Sequence, residues 1–362
     1  MLRIATSISF LVGVLISQTL QAQIRHEIDF PDLPEYLTLK CDFHMHTVFS
    51  DGQVWPTVRV DEAWRSGLDA ICLTDHIEYQ PHRDDIPTDV NRSYELALGR
   101  AKERNLLFPR ATEITRDTPP GHFNALFLDD VQPLDTPEFL QAIEQANKQK
   151  AFVFWNHHEW KGAERGSWMA VHSLLHNKRY FHGMEVCNGD TYYPTAHRWC
   201  LNKGLTMVGN SDIHEPDLRE QNTPDDHRTL TLVFVQQRTL NGLKEALFDG
   251  RTVVWFEDRL IGKRQWLEPL FDRCVSVQTP HYRTDKAVWT QVKNCSPVEI
   301  RLQRAGEVGP EEIVLPANAV TLLKIGTGTP QAAQELSYTA TNLLIEPETG
   351  LPVTLRIAAA VQ

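Results

Sequence analysis

The stretch CDFHMHTVFSDG, residues 41–52, sets two histidines one residue apart, just before Ser-Asp-Gly. In a β-strand, residues i and i+2 point to the same side. His44 and His46 then project together with Asp42 below them, while Cys41, Phe43 and Met45 turn the other way into packing. Two imidazoles converging at a strand end are the beginning of a metal-ligand set. An isolated His-x-His is equally a strand with two partly exposed histidines, so the rest of the chain decides.

Downstream, strand and helix patterns alternate to about residue 250. Leu39–His46 reads as a strand and Pro56–Ser66 as a helix, with Pro56 at its start and Gly67 past its end. Strand patterns recur at Leu68–Thr74, Leu106–Ile114, His122–Leu128, Ala151–Asn156, Gly183–Cys187, Leu205–Gly209 and Leu230–Val235. Helical patterns fall between them at Arg92–Glu103, Pro137–Lys148, Ser167–His176 and Thr195–Asn202, and Leu240–Asp249 closes the series. About seven β-then-α units predict a parallel sheet closed into a barrel. Near residue 265 helical periodicity stops. From Val275 to Ala359 seven short strand patterns follow, separated by turn residues, and predict a small β-sandwich over 265–362.

Functional side chains of a parallel barrel gather where strands finish. The first strand ends in His44-Met45-His46, with Asp51 in its loop, and the second in Thr74-Asp75-His76. The third ends in Thr112-Glu113, the fourth begins Gly121-His122, the fifth ends in Asn156-His157-His158, and another ends in Asn210-Ser211-Asp212-Ile213-His214. Each alone is weak: Ser-Asp-Gly is usually a turn, and a lone histidine is more often hydrogen-bonded structure than ligand. Their joint occurrence at one predicted end is the metal-site expectation.

The pieces HMHTVFSDG, LTDH, the Glu of ATEIT, the His of GHFN, the first His of NHHEW and SDIH, spread over residues 42–214, resemble the PHP (polymerase and histidinol phosphatase) superfamily. Within it, DFHMHTVFSDGQVWPTVRVDEAW and LTDHIEYQPH are similar to secreted bacterial Sb-PDE-type phosphodiesterases. The resemblance implies a distorted (β/α)7 barrel over 23–264 that binds two to three divalent ions: zinc, manganese or iron. It implies His44, His46 and Asp212 on one ion, and Glu113 bridging to a second ion completed by His122 and His157. Asp51, His76 and His214 would hold a third. His157, rather than His158, occupies the place of the family's usual His-Pro histidine. A hydroxide between the Glu113-bridged ions is then the expected nucleophile. Asp75 and His158 are candidates for protonating the leaving group, with Asp75 alternatively orienting an imidazole. Arg83, His82 and Lys161 are candidates for meeting the substrate phosphate, and Trp55, Tyr79, Trp160 and Tyr193 for walling the mouth.

The formal charge of −11 argues against an extended nucleic-acid track, though divalent ions reverse the field locally for a small anionic ester. Residues 1–22, with Arg3, the apolar run Ile8–Ile16 and Ala22, read as a cleaved secretory signal peptide, which predicts a periplasmic or secreted protein without a membrane anchor. Of six cysteines, Cys274 and Cys295 are the better disulfide candidates, and Cys41 and Cys72 read as buried thiols. No GxSxG, P-loop or HExxH sequence is present. The leading expectation is a metal-dependent phosphodiesterase acting on small soluble diesters. The alternatives are a phosphomonoesterase of the histidinol-phosphatase kind, or a noncatalytic metal- or glycan-binding protein. Oligomeric state is not readable.

Overall fold

A computed structural model describes residues 23–87, 89–219, 226–326 and 334–359. The leader expected at 1–22 lies outside them. The first half comprises β1 (Leu37–Asp42), α1 (Pro56–Arg65), β2 (Ala70–Ile71), α2 (Arg92–Glu103), β3 (Ala111–Ile114), β4 (Phe123–Leu126), α3 (Phe139–Lys148), β5 (Phe152–Trp155), α4 (Ala170–Asn177), β6 (Gly183–Asn188), β7 (Thr191–Tyr192), α5 (Pro194–Lys203) and β8 (Thr206–Asn210). Then come β9 (Leu230–Val235), α6 (Leu240–Phe248), β10 (Thr252–Phe256), β11 (Arg259–Gly262) and α7 (Arg264–Cys274). The remainder is all β: β12 (Val275–Val277), β13 (Tyr282–Arg283), β14 (Ala287–Asn294), β15 (Ile300–Arg304), β16 (Glu312–Leu315), β17 (Ala319–Gly326), β18 (Gln334–Glu346) and β19 (Thr349–Ile357).

Seven short strands ring the first domain in the order β1, β2, β3, β4, β5, β6, β8. Pairing is parallel at β1–β2, β5–β6 and β6–β8 but antiparallel at β3–β4 and β4–β5, so the parallel expectation fails at β4. The chain from β3 to β4 is a short loop without a helix, which cannot carry a parallel crossover. Two seams are thin. Only the bridges Ala70↔Leu107 and His76↔Glu113 join β2 to the β3 side. Between β8 and β1 stand the bridge Met45↔Ile213 and the Phe43 N–H donating to Asn210 Oδ1 at 2.8 Å. The bridges His76↔Glu113 and Met45↔Ile213 of these seams lie at the functional strand ends, and the barrel is irregular there.

The last of the expected β-then-α units, Leu230–Val235 and Leu240–Asp249, is different. β9 runs antiparallel to β1, and β10 and β11 extend the same sheet by two antiparallel pairings. β11 then pairs in parallel with β18 of the C-terminal module. α7 crosses the expected break at residue 265, so helical periodicity persists to Cys274. One apolar core runs through this junction, from Leu230, Trp255 and Leu260 through Leu267 and Phe271 to Val292, Leu302 and Leu355. Cys274 and Cys295 are free thiols in this structure, and Cys295 N–H donates to Cys274 O at 2.9 Å. No described helix is long and apolar enough to cross a membrane.

Buried charges pin the strand ends. The Arg59 guanidinium on α1 is fully buried and donates to His46 O (3.1 Å), His214 O (3.0 Å), Glu215 O (2.9 Å) and Glu62 Oε2 (2.7 Å). Arg228 bridges Asp42 and Asp217 with all three side chains buried. Breaking a buried pair of this kind strands its partners and costs about 3–5 kcal/mol. Arg59→Met is therefore expected to lower the thermal midpoint by about 10 °C, measured by calorimetry.

His172 accepts from Met169 N–H at 3.0 Å and faces Pro120 O at 2.8 Å, an arrangement only the neutral imidazole satisfies. Burial holds both His172 and His182 down to about 4, against 6.5 for a free histidine. Above pH 6.5 neither folded nor unfolded chain binds these protons; between 6.5 and 4 only the unfolded chain does. Stability is therefore lost as pH falls through that window, on the order of 3 kcal/mol from His172 alone. Chelator-treated protein should show a midpoint that falls steadily from pH 6.5 to 4 in thermal scans, and a flat profile would contradict it.

Candidate metal centre

Strand alternation does at β1 what the sequence predicts. His44 and His46 lie just past its end, fully buried, while Phe43 and Met45 enter the apolar cores on the other side. The following loop is tied to the end of β2: Asp75 Oδ1 accepts from Thr47 N–H at 2.7 Å and Ser50 Oγ at 2.9 Å. Gly52 is required because the loop doubles back on itself. A Cβ there would lie 2.6 Å from the backbone carbon of His46 and the backbone nitrogen of Thr47. The fold-back brings Asp51 Oδ1 to 3.2 Å from His214 Nε2 and 3.4 Å from His76 Nε2.

Glu113, fully buried on β3, stands at the focus. Its Oε2 lies 2.9 Å from His44 Nε2 and 3.3 Å from both His46 Nε2 and His76 Nδ1. Its Oε1 lies 2.6 Å from His122 Nδ1 and 3.8 Å from His157 Nε2. Asp212 faces the same imidazoles from β8, with Oδ1 3.1 Å from the Nε2 atoms of His44 and His46. Its backbone is left-handed, φ 51°, and His214 Nδ1 donates to its carbonyl at 2.7 Å, which turns His214 Nε2 toward Asp51.

Ligand atoms converge in four overlapping groups: His46–Asp51–His76–His214, His44–His157–Asp212, His44–His46–Glu113 and His76–Glu113–His122. All nine residues named from the sequence fall in these groups. The partition differs from the implied one, because His157 sits with His44 and Asp212, and His122 with His76. His46 Nε2, Asp51 Oδ1, Glu113 Oε1, His122 Nδ1, His157 Nδ1 and Asp212 Oδ1 are buried atoms that make no contact of hydrogen-bond geometry, close as several of them lie to one another. Leaving such atoms unpaired costs about 1–3 kcal/mol each, a cost that bound cations would remove. The donor set therefore fits divalent metal ions.

The electrostatics agree. Burial alone lowers a histidine, as it does His157. At His46 burial also lowers, but Asp212 and Glu113 outweigh it and push the imidazole up to about 9. Burial would raise Glu113, Asp51 and Asp212, yet the surrounding imidazoles hold all three carboxyls well below the usual range. Ionised carboxylates packed among imidazoles make a site that accumulates positive charge.

A cavity of about 870 Å³ opens onto this cluster, lined by Asp51, His76, His122, His157, Asp212 and His214 together with Glu78, Tyr79, Arg116, Asp117, Trp160, Lys161 and Tyr193. Of the phosphate-contact candidates, Lys161 lines the cavity, whereas His82 and Arg83 are exposed on a neighbouring turn and are not among its lining residues. Trp55 is also outside the lining and packs on Phe49. The acid candidates need correction. His158 faces Gly166 O through Nδ1 at 2.8 Å, packs behind the cavity-lining Tyr193 and against Trp155 and Trp199, and does not itself line the cavity. Asp75 is occupied by Thr47 and Ser50, and reaches His46 only through Ser50 Oγ, 3.2 Å from His46 Nδ1.

Sequence reasoning missed Glu185, whose Oε1 lies 2.8 Å from His44 Nδ1. The available cue was an acid inside the otherwise buried run Gly-Met-Glu-Val-Cys of β6. It also missed Arg59, Arg116 and Asp117. Arg116 pairs with Glu78, and Asp117 with Lys161 at 2.8 Å and Arg165 at 2.9 Å.

An Ig-like domain family matches residues 275–356. A comparison with curated proteins finds no match. Among solved structures, a two-domain protein from Bacteroides vulgatus containing a predicted PHP-like metal-dependent phosphoesterase is 41% identical, with a TM-score of 0.88 over 93% of this chain and 100% of that one. A protein from Bifidobacterium adolescentis, assigned as a metal-dependent phosphoesterase, is 16% identical, with a TM-score of 0.40 over 58% of this chain and 96% of that one. The first of these, spanning both domains, settles the relationship: this chain belongs to the two-domain PHP-like metal-dependent phosphoesterase family.

Proposed function

We propose that the protein hydrolyses small, soluble phosphodiesters, using two to three divalent ions held by His44, His46, Asp51, His76, Glu113, His122, His157, Asp212 and His214. Zinc, manganese and iron all suit this mixed imidazole and carboxylate set. When bound, such ions lower the pKa of water toward neutrality and offset negative charge on the phosphoryl oxygens. Glu113, within 3.8 Å of five imidazoles, is the residue placed to be shared between ions.

The preference for a diester rests on one observation: both cationic side chains in the cavity are already compensated. Arg116 is paired with Glu78 and donates to Thr136 O at 2.7 Å, and Lys161 is paired with Asp117. No uncompensated cation of the chain lines the described cavity to clamp the second charge of a monoester. A diester carries a single charge, which the metal field meets. The cavity volume also admits two ester substituents, within the range of small-molecule sites. Tyr79 and Trp160, each about half exposed at 53% and 50%, offer apolar surface to those substituents. The same reading keeps the exported location expected from residues 1–22 and a small soluble ester as partner.

Protein loaded separately with zinc, manganese and iron should turn over bis(p-nitrophenyl) phosphate with kcat/KM at least about tenfold above p-nitrophenyl phosphate, a difference of about 1.4 kcal/mol in transition-state binding. Preference for the monoester would overturn the diester reading. His46→Ala and chelator treatment should each remove turnover, with metal restoring only the chelated protein. Undiminished hydrolysis in His46→Ala would remove the metal mechanism.

A further inference from the structure

We propose that Glu185 is the positioning residue of one metal subsite, His44–His157–Asp212, and that its loss weakens that subsite ahead of the others. The proposal rests on the metal-centre reading above and goes beyond its ligand set.

Glu185 is a fully buried carboxylate in the middle of β6, and no lysine or arginine pairs with it among the described residues. Four groups surround its two oxygens instead. Oε1 faces His44 Nδ1 at 2.8 Å and accepts from Asn210 Nδ2 at 2.9 Å. Oε2 accepts from the His157 backbone N–H at 2.9 Å and from Asn188 Nδ2 at 2.9 Å. A carboxylate only accepts, so His44 carries its proton on Nδ1 and presents Nε2 to the site.

The three members of the subsite are each reached from this one side chain. His44 is held by its ring, His157 by its backbone, and Asp212 through Asn188, whose Nδ2 also lies 3.2 Å from Asp212 Oδ2. Asn210 extends the anchorage to the barrel seam by accepting from Phe43 N–H. None of the four contacts goes to His46, Asp51, His76 or His214. That second group is tied elsewhere: His46 to Ser50, His76 to Thr115 Oγ1 at 2.6 Å, and His214 to the Asp212 carbonyl. Glu185 reaches only the first group directly; the second leans on it at one remove, through His214 on the Asp212 carbonyl, so a change at Glu185 acts first on His44–His157–Asp212. Its negative charge also sits directly behind His44, where it favours a cation at Nε2.

The test is zinc stoichiometry and affinity of the full chain, by elemental analysis after equilibrium dialysis and by competition with a chromogenic chelator. Glu185→Gln keeps the size but turns an amide NH2 toward two of the four donors already in place. It should weaken one zinc equivalent about tenfold or more while zinc at His46–Asp51–His76–His214, which does not include His44, is weakened clearly less. Asn188→Ala, at a half-buried position, should weaken the same equivalent by less, and it carries the test if Glu185→Gln fails to fold. Unchanged competition curves in both variants, or equal weakening of every equivalent, would overturn the proposal and leave the metal reading standing. Absence of tight zinc in the unaltered chain would instead overturn both.

Discussion

The structure turns on one unfavourable placement. Glu113 is a carboxylate with no solvent exposure, and five imidazoles rather than any lysine or arginine are its neighbours. A buried charge of this kind survives only if something positive sits beside it. Imidazoles supply that as protonated rings in the ion-free site, or as ligands to divalent ions that replace the protons. The barrel's irregularities follow from the demand. Strand ends from both thin seams must reach the same carboxylate, and β4 must reverse direction so that His122, at its start, arrives at the end where the other strands finish.

Holding nine such side chains within a few ångströms is itself costly, and the chain meets the cost with groups that never touch substrate. Arg59 collects the carbonyls on both sides of the site, Asp75 folds the loop after β1, and Arg228 neutralises Asp42 beneath the histidine pair. These are polar and buried. They contribute less through net attraction than by making alternative loop positions expensive, since displacement would leave several buried groups unpaired at once. The stability of the barrel and the geometry of the centre therefore depend on the same contacts.

What was legible in the sequence was whatever carries its own period or residue chemistry. His44 and His46 declared themselves by i, i+2 spacing, Asp212 and His214 likewise, and α1 by Pro56 and Gly67. The antiparallel course of β4 was hidden because a short buried strand has the same apolar run in either direction, and only the brevity of the loop before it distinguishes them. β9 was read as one more parallel strand for the same reason. Glu185 and Arg59 were hidden by a different cause: their partners are 141 residues away at His44 and 155 at His214, and nothing local marks a charge that will be buried. His158 misled because it is adjacent to His157; one residue of offset turned it from the cavity to the aromatic cluster behind.

The C-terminal module joins the barrel in a way that links the two domains' stability. β11 belongs by sequence to the barrel segment yet pairs with β18, and the apolar core passes through α7 without a polar break. Flexible linkers between domains are exposed and rich in glycine, proline and polar residues. Here the connection is instead a helix with Leu267, Leu270 and Phe271 buried. An interface built like an interior transmits strain and does not hinge freely. Because β9 and β10 lie in that same sheet and β9 pairs with β1, the module is continuous through the sheet with the strand that leads into His44 and His46. The Ig-like domain is thereby joined through one sheet to the strand leading into the metal-ligand cluster, without contributing any residue to the four ligand groups.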